Sequence, residues 1–215
     1  MILLQSQVAT GIKVSFSANM LSSANNIWLG YRNLLPLNTC LSWLAEHELE
    51  YCKQASVKRA LQFANGRALV RQILQQQGFV PIDIELALPN EQAPELRING
   101  QRWQLSISHS GQAVAVAFSP TVQLGVDIEQ LKVRDWSILA EPYPLLQGVS
   151  NLSEFYQCWT AAEAYCKATG STIWQVLQQP LPQTLYYQHI ALDGYALCLC
   201  SHNPHARIIV VNADS

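Results

Sequence analysis

Three short strand-like segments, at residues 103–107, 113–118 and 124–128, follow one another with only a handful of residues between them. The small sheets they belong to are expected to be mainly antiparallel. Two helical patterns flank them. The first is expected over residues 56–77, where Val57, Leu61, Ala64, Ala68, Ile73 and Leu74 recur at roughly the helical period. Gly78 and Pro81 stand where it should stop. The second follows a capping pattern opened at Ser153 and runs to Ala168, ended by Gly170. An earlier helix, capped by Asn38, Thr39 or Ser42, reaches Tyr51. Residues 82–88 alternate as a strand, 89–100 are turn-rich, and 185–190, 195–200 and 207–211 read as closing strands. The first 25 residues read as one strand and a Ser/Asn loop. Helix followed by strands therefore occurs twice. The expected fold class is α+β, with halves at 1–123 and 124–215 whose residues do not visibly repeat.

The 215 residues are 49% apolar and 13% charged, a globular composition. A net charge of −2 gives no basic field, so no nucleic-acid partner is expected. No run approaches the length of a membrane span, and residues 1–5 lack the positive start of a signal peptide. The six cysteines (40, 52, 158, 166, 198 and 200) form no C-x-x-C pair. They read as packed, reduced thiols in a cytoplasmic protein.

Four segments carry residue types suited to chemistry. In Gly125-Val126-Asp127-Ile128-Glu129, a strand puts both carboxylates on one side. Paired hard oxygens suit Mg²⁺ or Mn²⁺ when substrate phosphates complete the shell; a solvated strand end fits the same residues. Further on, Phe155 and Trp159 share a helix face, as do Glu163 and Lys167. They make either an aromatic stripe with a surface ion pair, or a metal ligand with a phosphate-binding cation. Ser108-His109-Ser110-Gly111 reads as a polar turn able to face an anion. Lys58, Arg59, Arg67 and Arg71 form a basic helix face, on which Arg67 and Arg71 are spaced to share a phosphate; a solvated helix face fits the same residues. His202 and His205 read as surface residues.

In order and spacing these segments resemble the surfactin-type phosphopantetheinyl transferases. The matching pieces are Phe63-Ala64-Asn65-Gly66-Arg67, Ser108-His109-Ser110-Gly111, Gly125 to Glu129, and Trp159-Thr160-Ala161-Ala162-Glu163-Ala164-Tyr165-Cys166-Lys167. The resemblance covers roughly residues 55–170. It implies a pseudo-twofold fold of two similar halves with coenzyme A between them. It further implies that Asp127, Glu129 and Glu163 hold Mg²⁺ (or Mn²⁺), that Ser108 and His109 touch coenzyme A phosphates, and that Lys167 neutralises the pyrophosphate. Arg59 and Arg67 are implied at the nucleotide and its 3′-phosphate. The implied activity moves the phosphopantetheine arm of coenzyme A onto a serine of an acyl or peptidyl carrier protein and releases 3′,5′-ADP. This is the holo-[acyl-carrier-protein] synthase type of reaction, carried out by a monomer, with Glu163 or a metal-bound water as the base.

This sequence departs from the family pattern in three places. Ala162 replaces a lysine, Gln92-Ala93-Pro94 replaces a Gly-Lys-Pro turn, and Gln147 replaces an acid. Arg97, Arg102 and Lys132 are the candidate replacement cations. Two alternatives stand beside the leading expectation. One is a relative that binds coenzyme A or a carrier protein but turns over poorly; the other is a metal-dependent phosphohydrolase using the same acids.

Overall fold

The computed structural model describes residues 24–88 and 94–211, so most of the segment read as a strand and loop at the N-terminus, and Gln92 and Ala93, lie outside them. The α+β expectation holds. One sheet is built from β1 (Asn26–Asn33), β2 (Ile84–Leu86), β3 (Leu96–Ile98), β4 (Gln101–Ser110), β5 (Ala113–Ser119) and a C-terminal strand, Arg207–Val211. The other contains β6 (Leu124–Gln130), β7 (Tyr186–Leu192) and β8 (Tyr195–Ser201); Arg207–Val211 is β9. Their orders are β2-β3-β4-β5-β1-β9 and β6-β8-β7. Every pairing is antiparallel except β1 with β9.

The layers follow from which side chains each strand turns where. On β5, Val114, Val116 and Phe118 enter a core shared with the long helix over Val57–Gln76. Ala113, Ala115 and Ala117 face Val126, Ile128, Leu197 and Leu199 of the second sheet. A strand covered on both faces has no use for polar alternation, which accounts for its unbroken apolar run. The Cys198 and Cys200 side of β8 meets Ala161, Ala164 and Ala168 of a second long helix. Helix, sheet, sheet and helix are therefore stacked in that order.

The helices are α1 (Leu37–Leu41), α2 (Glu46–Gln54), α3 (Val57–Gln76), α4 (Trp136–Ala140), α5 (Leu152–Thr169) and α6 (Ile173–Val176). Ser56 caps α3 by accepting from the Arg59 N–H. Asn151, rather than Ser153, caps α5, accepting from the Glu154 N–H at 3.0 Å. Gly170 ends α5 in the left-handed region, with φ 75°. The single helix expected up to Tyr51 is broken in two, because Glu48 reaches back to the Ala45 N–H (2.7 Å) and starts a new helix there. Glu48 is fully buried and also pairs with Arg67 (2.6 Å) and Arg71 (2.8 Å), tying α2 to α3.

Two other expectations change. Pro81–Asp83 form a 3-10 turn, so only Ile84–Leu86 of the 82–88 run pair as a strand. The Ser-His-Ser-Gly turn is strand as far as Ser110, which pairs with Ala113. The reversal needs only Gly111 and Gln112. Finally, β9 follows the second sheet in sequence but completes the first in space, beside β1. Among the described residues no helix is long and apolar enough to cross a membrane.

Candidate active site

Edge strand β6 pairs with β8 alone, yet it lies against β4. Serine hydroxyls make the join. Ser106, Ser108 and Ser110 occupy alternate positions of β4 and so share one face. They accept from the N–H groups of Val126 (3.0 Å), Ile128 (3.3 Å) and Gln130 (3.1 Å). Two of them also donate. Ser108 Oγ bonds Asp127 Oδ1 at 2.7 Å, and Ser110 Oγ bonds Glu129 Oε2 at 2.6 Å. The seam between the sheets thus holds both carboxylates of the Gly-Val-Asp-Ile-Glu segment.

From the other side comes α5. A Cβ on Gly125 would lie 2.1 Å from the Ala164 carbonyl oxygen and 2.6 Å from the Ala168 nitrogen. Only a residue without one lets the helix backbone settle on β6 this closely. That approach delivers Lys167, whose Nζ meets Asp127 Oδ1 at 2.7 Å and the Val126 carbonyl at 3.1 Å. Asp127 is 4% exposed, and its second oxygen, Oδ2, is buried without a hydrogen-bond partner.

Glu163 stands one turn before Lys167, half-buried. Burial pushes its carboxyl above the ordinary range, and the charges of Asp127 and Glu129 push it further up against the pull of Lys167. Burial also raises Glu129; the Ser110 hydrogen bond opposes this and the Asp127 charge adds to it. The three acids therefore feel one another across two elements. Among the described residues, however, no three His, Cys, Asp or Glu side chains could hold a metal ion by themselves. What fits is a partial shell of hard oxygens, with the orphaned Asp127 Oδ2 at its centre, that a ligand's phosphate oxygens would complete. Mg²⁺ is commonly bound in that way.

His109 projects to the opposite face of β4 from the serines. Burial lowers its imidazole below the ordinary value, and the cations Arg59 and Lys167 lower it further. Arg59 is exposed on α3, with its Nε donating to the Tyr51 hydroxyl at 3.2 Å. Asp127, Glu129, Glu163, Lys167, Ser108, His109 and Arg59 are thus gathered into one neighbourhood.

No family model matches the chain. Among curated proteins it is similar to the 4′-phosphopantetheinyl transferase AcpT of Salmonella typhimurium, 28% identical over 56% of this chain and 68% of the relative. The AcpT proteins of Salmonella typhi (31% identical, 46% of this chain, 58% of the relative) and Escherichia coli K12 (28%, 57% and 65%) are also similar. These relatives support a likeness to the phosphopantetheinyl transferase superfamily. The alignments span 58–68% of the length of these three relatives.

Measured against the superfamily resemblance, Arg67 is placed differently from the expectation. It is 3% exposed, and its guanidinium bonds Glu48 and the carbonyls of Leu86 and Ala87 and lies over the Phe63 ring. Arg71 shares the same carboxylate, so both guanidiniums are engaged by Glu48. Ala162 is fully buried among Phe155, Tyr156 and Cys166, on the core side of α5. Gln147 is exposed in a loop. Arg97 pairs with Glu95 and sits opposite Arg102, both at the far end of β4 from Ser110. Lys132 is exposed just beyond β6.

Sequence reasoning missed three contributors. Arg134 lies over the Tyr156 ring at 5.3 Å and lowers Glu129 by its charge. Tyr51 orients Arg59. Ser106 completes the seam; the alternation Ser106-x-Ser108-x-Ser110 was a readable signal for a hydroxyl-lined strand face. The cysteines are free: five are buried, Cys158 is half-buried, and burial pushes Cys166 up to about 11 and Cys200 up to about 12. Thiols so placed are poor nucleophiles.

Proposed function

We propose that this protein is a surfactin-type transferase that moves the phosphopantetheine arm of coenzyme A onto a serine of an acyl or peptidyl carrier protein. The observation that carries the reading is Asp127. Residues from β4 and α5 converge on its Oδ1, while Oδ2 is buried and unpaired beside two further acids. Coenzyme A would lie along the β4–β6 seam, between a first half ending near residue 123 and a second beginning at 124.

A divalent cation at Asp127, Glu129 and Glu163 would supply Lewis-acid polarisation of the pyrophosphate oxygens. Lys167 would turn its ammonium from Asp127 to the pyrophosphate and spread the charge that grows as the leaving group departs. His109, held neutral by burial and by its cationic neighbours, offers an N–H donor without adding charge. Arg59 presents an exposed guanidinium for an outer phosphate. Glu163, half-buried one turn before Lys167, would take the serine proton. The serine oxygen bonds the β-phosphorus, the bridging P–O bond breaks, 3′,5′-ADP leaves and the proton passes to Glu163.

The test mixes purified protein with coenzyme A, Mg²⁺ and a panel of apo-carrier proteins, and reads carrier mass. A gain of one phosphopantetheine arm is expected, from an enzyme eluting as a monomer on gel filtration. No gain with any carrier, beside a working control transferase, refutes the reading. Coenzyme A binding without turnover would instead indicate a binding relative. Hydrolysis of simple phosphodiesters regardless of carrier would indicate a phosphohydrolase.

A further inference from the structure

We infer that Ser108 and Ser110 are positioning residues for the two β6 carboxylates and not contacts to the substrate phosphates. The inference rests on the metal-assisted reading above and assigns a role within that site. A serine hydroxyl has one proton to give. That of Ser108 goes to Asp127 Oδ1 (2.7 Å) while the oxygen accepts the Ile128 N–H (3.3 Å), and the residue is 6% exposed. Ser110 repeats the arrangement, giving to Glu129 Oε2 (2.6 Å) and accepting from the Gln130 N–H (3.1 Å). Both hydroxyls are fixed at two points by the β6 backbone they help to bind. Neither has a proton left for a phosphate.

The consequence is orientation. Each serine holds one oxygen of its carboxylate and leaves the other open. For Asp127 the open oxygen is the buried, unpartnered Oδ2. Each acid is thereby presented as a one-oxygen ligand with a fixed rotamer. Such outer-shell hydrogen bonds commonly set metal affinity, and their loss typically weakens it about 10–100-fold.

Ser106 is the internal control. It makes the same backbone bond, to the Val126 N–H at 3.0 Å, but touches no carboxylate. The experiment titrates Mn²⁺ into the full chain saturated with coenzyme A, against a blank of coenzyme A without protein, read by loss of the free-ion electron paramagnetic signal, with a melting curve for each variant. All three of Ser106→Ala, Ser108→Ala and Ser110→Ala are expected to lower the melting temperature, since each strips an acceptor from a β6 N–H. Only Ser108→Ala and Ser110→Ala are expected to weaken Mn²⁺ binding, by about tenfold. Ser110→Thr, which keeps the hydroxyl, should recover most of it. In turnover assays the two alanine variants should need more Mg²⁺ while the KM for coenzyme A at saturating Mg²⁺ stays near wild type. Equal Mn²⁺ affinity in all three variants overturns the inference and leaves the proposed function standing, as does a raised coenzyme A KM with unchanged Mn²⁺ affinity. If the wild-type chain binds no Mn²⁺ with coenzyme A present, both fall together.

Discussion

At the scale of single residues, the site is governed by where protons and cations sit around Asp127. Glu129 and Glu163 both have folded-state pKa values raised above the ordinary 4.5, chiefly by burial. A raised acid binds its proton more tightly when folded, so its contribution to stability is full below 4.5 and is lost as pH rises through the folded value. A divalent cation competes with those protons. Mg²⁺ should therefore raise the melting temperature at about pH 8 and do so progressively less towards about pH 5. A pH-independent increment would show that these acids are not its ligands. The arginines separate in the same way. Arg59→Ala should raise the coenzyme A KM roughly tenfold, the usual scale for one charged hydrogen bond. Arg67→Lys, which keeps a cation for Glu48, should lower the melting temperature and leave KM near wild type. A rise matching that of Arg59→Ala would place Arg67 at the substrate after all. The meeting of Asp127, Glu129, Glu163 and Lys167 was legible in the order and spacing of their motifs. Arg67 was not: a buried guanidinium and a phosphate-binding one look alike until its partner, nineteen positions away, is known.

At the scale of elements, each long helix is seated by a glycine, and the two seats differ in how far they can give. A methyl group on Gly66 of α3 meets the Ile107 Cγ2 at 2.9 Å, and a side chain can shift. On Gly125 it meets backbone of α5 at 2.1 and 2.6 Å, which can move only with the helix. Gly125→Ala should cost about 1–3 kcal/mol or more and abolish activity by withdrawing Lys167 and Glu163 from Asp127. Gly66→Ala should be the milder of the two in the same melting and transfer assays. The reverse order would mean that α5 is free to slide on β6. Pattern reading found both helices within a residue or two, since their apolar periodicity and caps are local. It missed β1 and β3 and merged α1 with α2. The break between α1 and α2 depends on Glu48, which the fold buries against two arginines of another helix, and removing it would leave them uncompensated at about 3–5 kcal/mol.

Across the whole molecule, the sheet order was the least legible property, because pairing partners lie far apart in the chain. The two-part division of the sequence is crossed by β9, which leaves the second sheet and pairs with β1 in the first. Calorimetry should accordingly show a single unfolding transition. Deleting residues 206–215 should destabilise the core around Trp28 and not merely trim an end, because Ile209 and Val211 pack against it. Two separate transitions, or a truncated chain that melts like the parent, would mean that the halves stand alone. The β1–β9 register joins Asn26 to Arg207. During synthesis β1 must wait, one edge bare, until β9 has been made. Bare edges recruit other chains. Yield in a recombinant host should therefore depend on slow translation, low temperature or added chaperone.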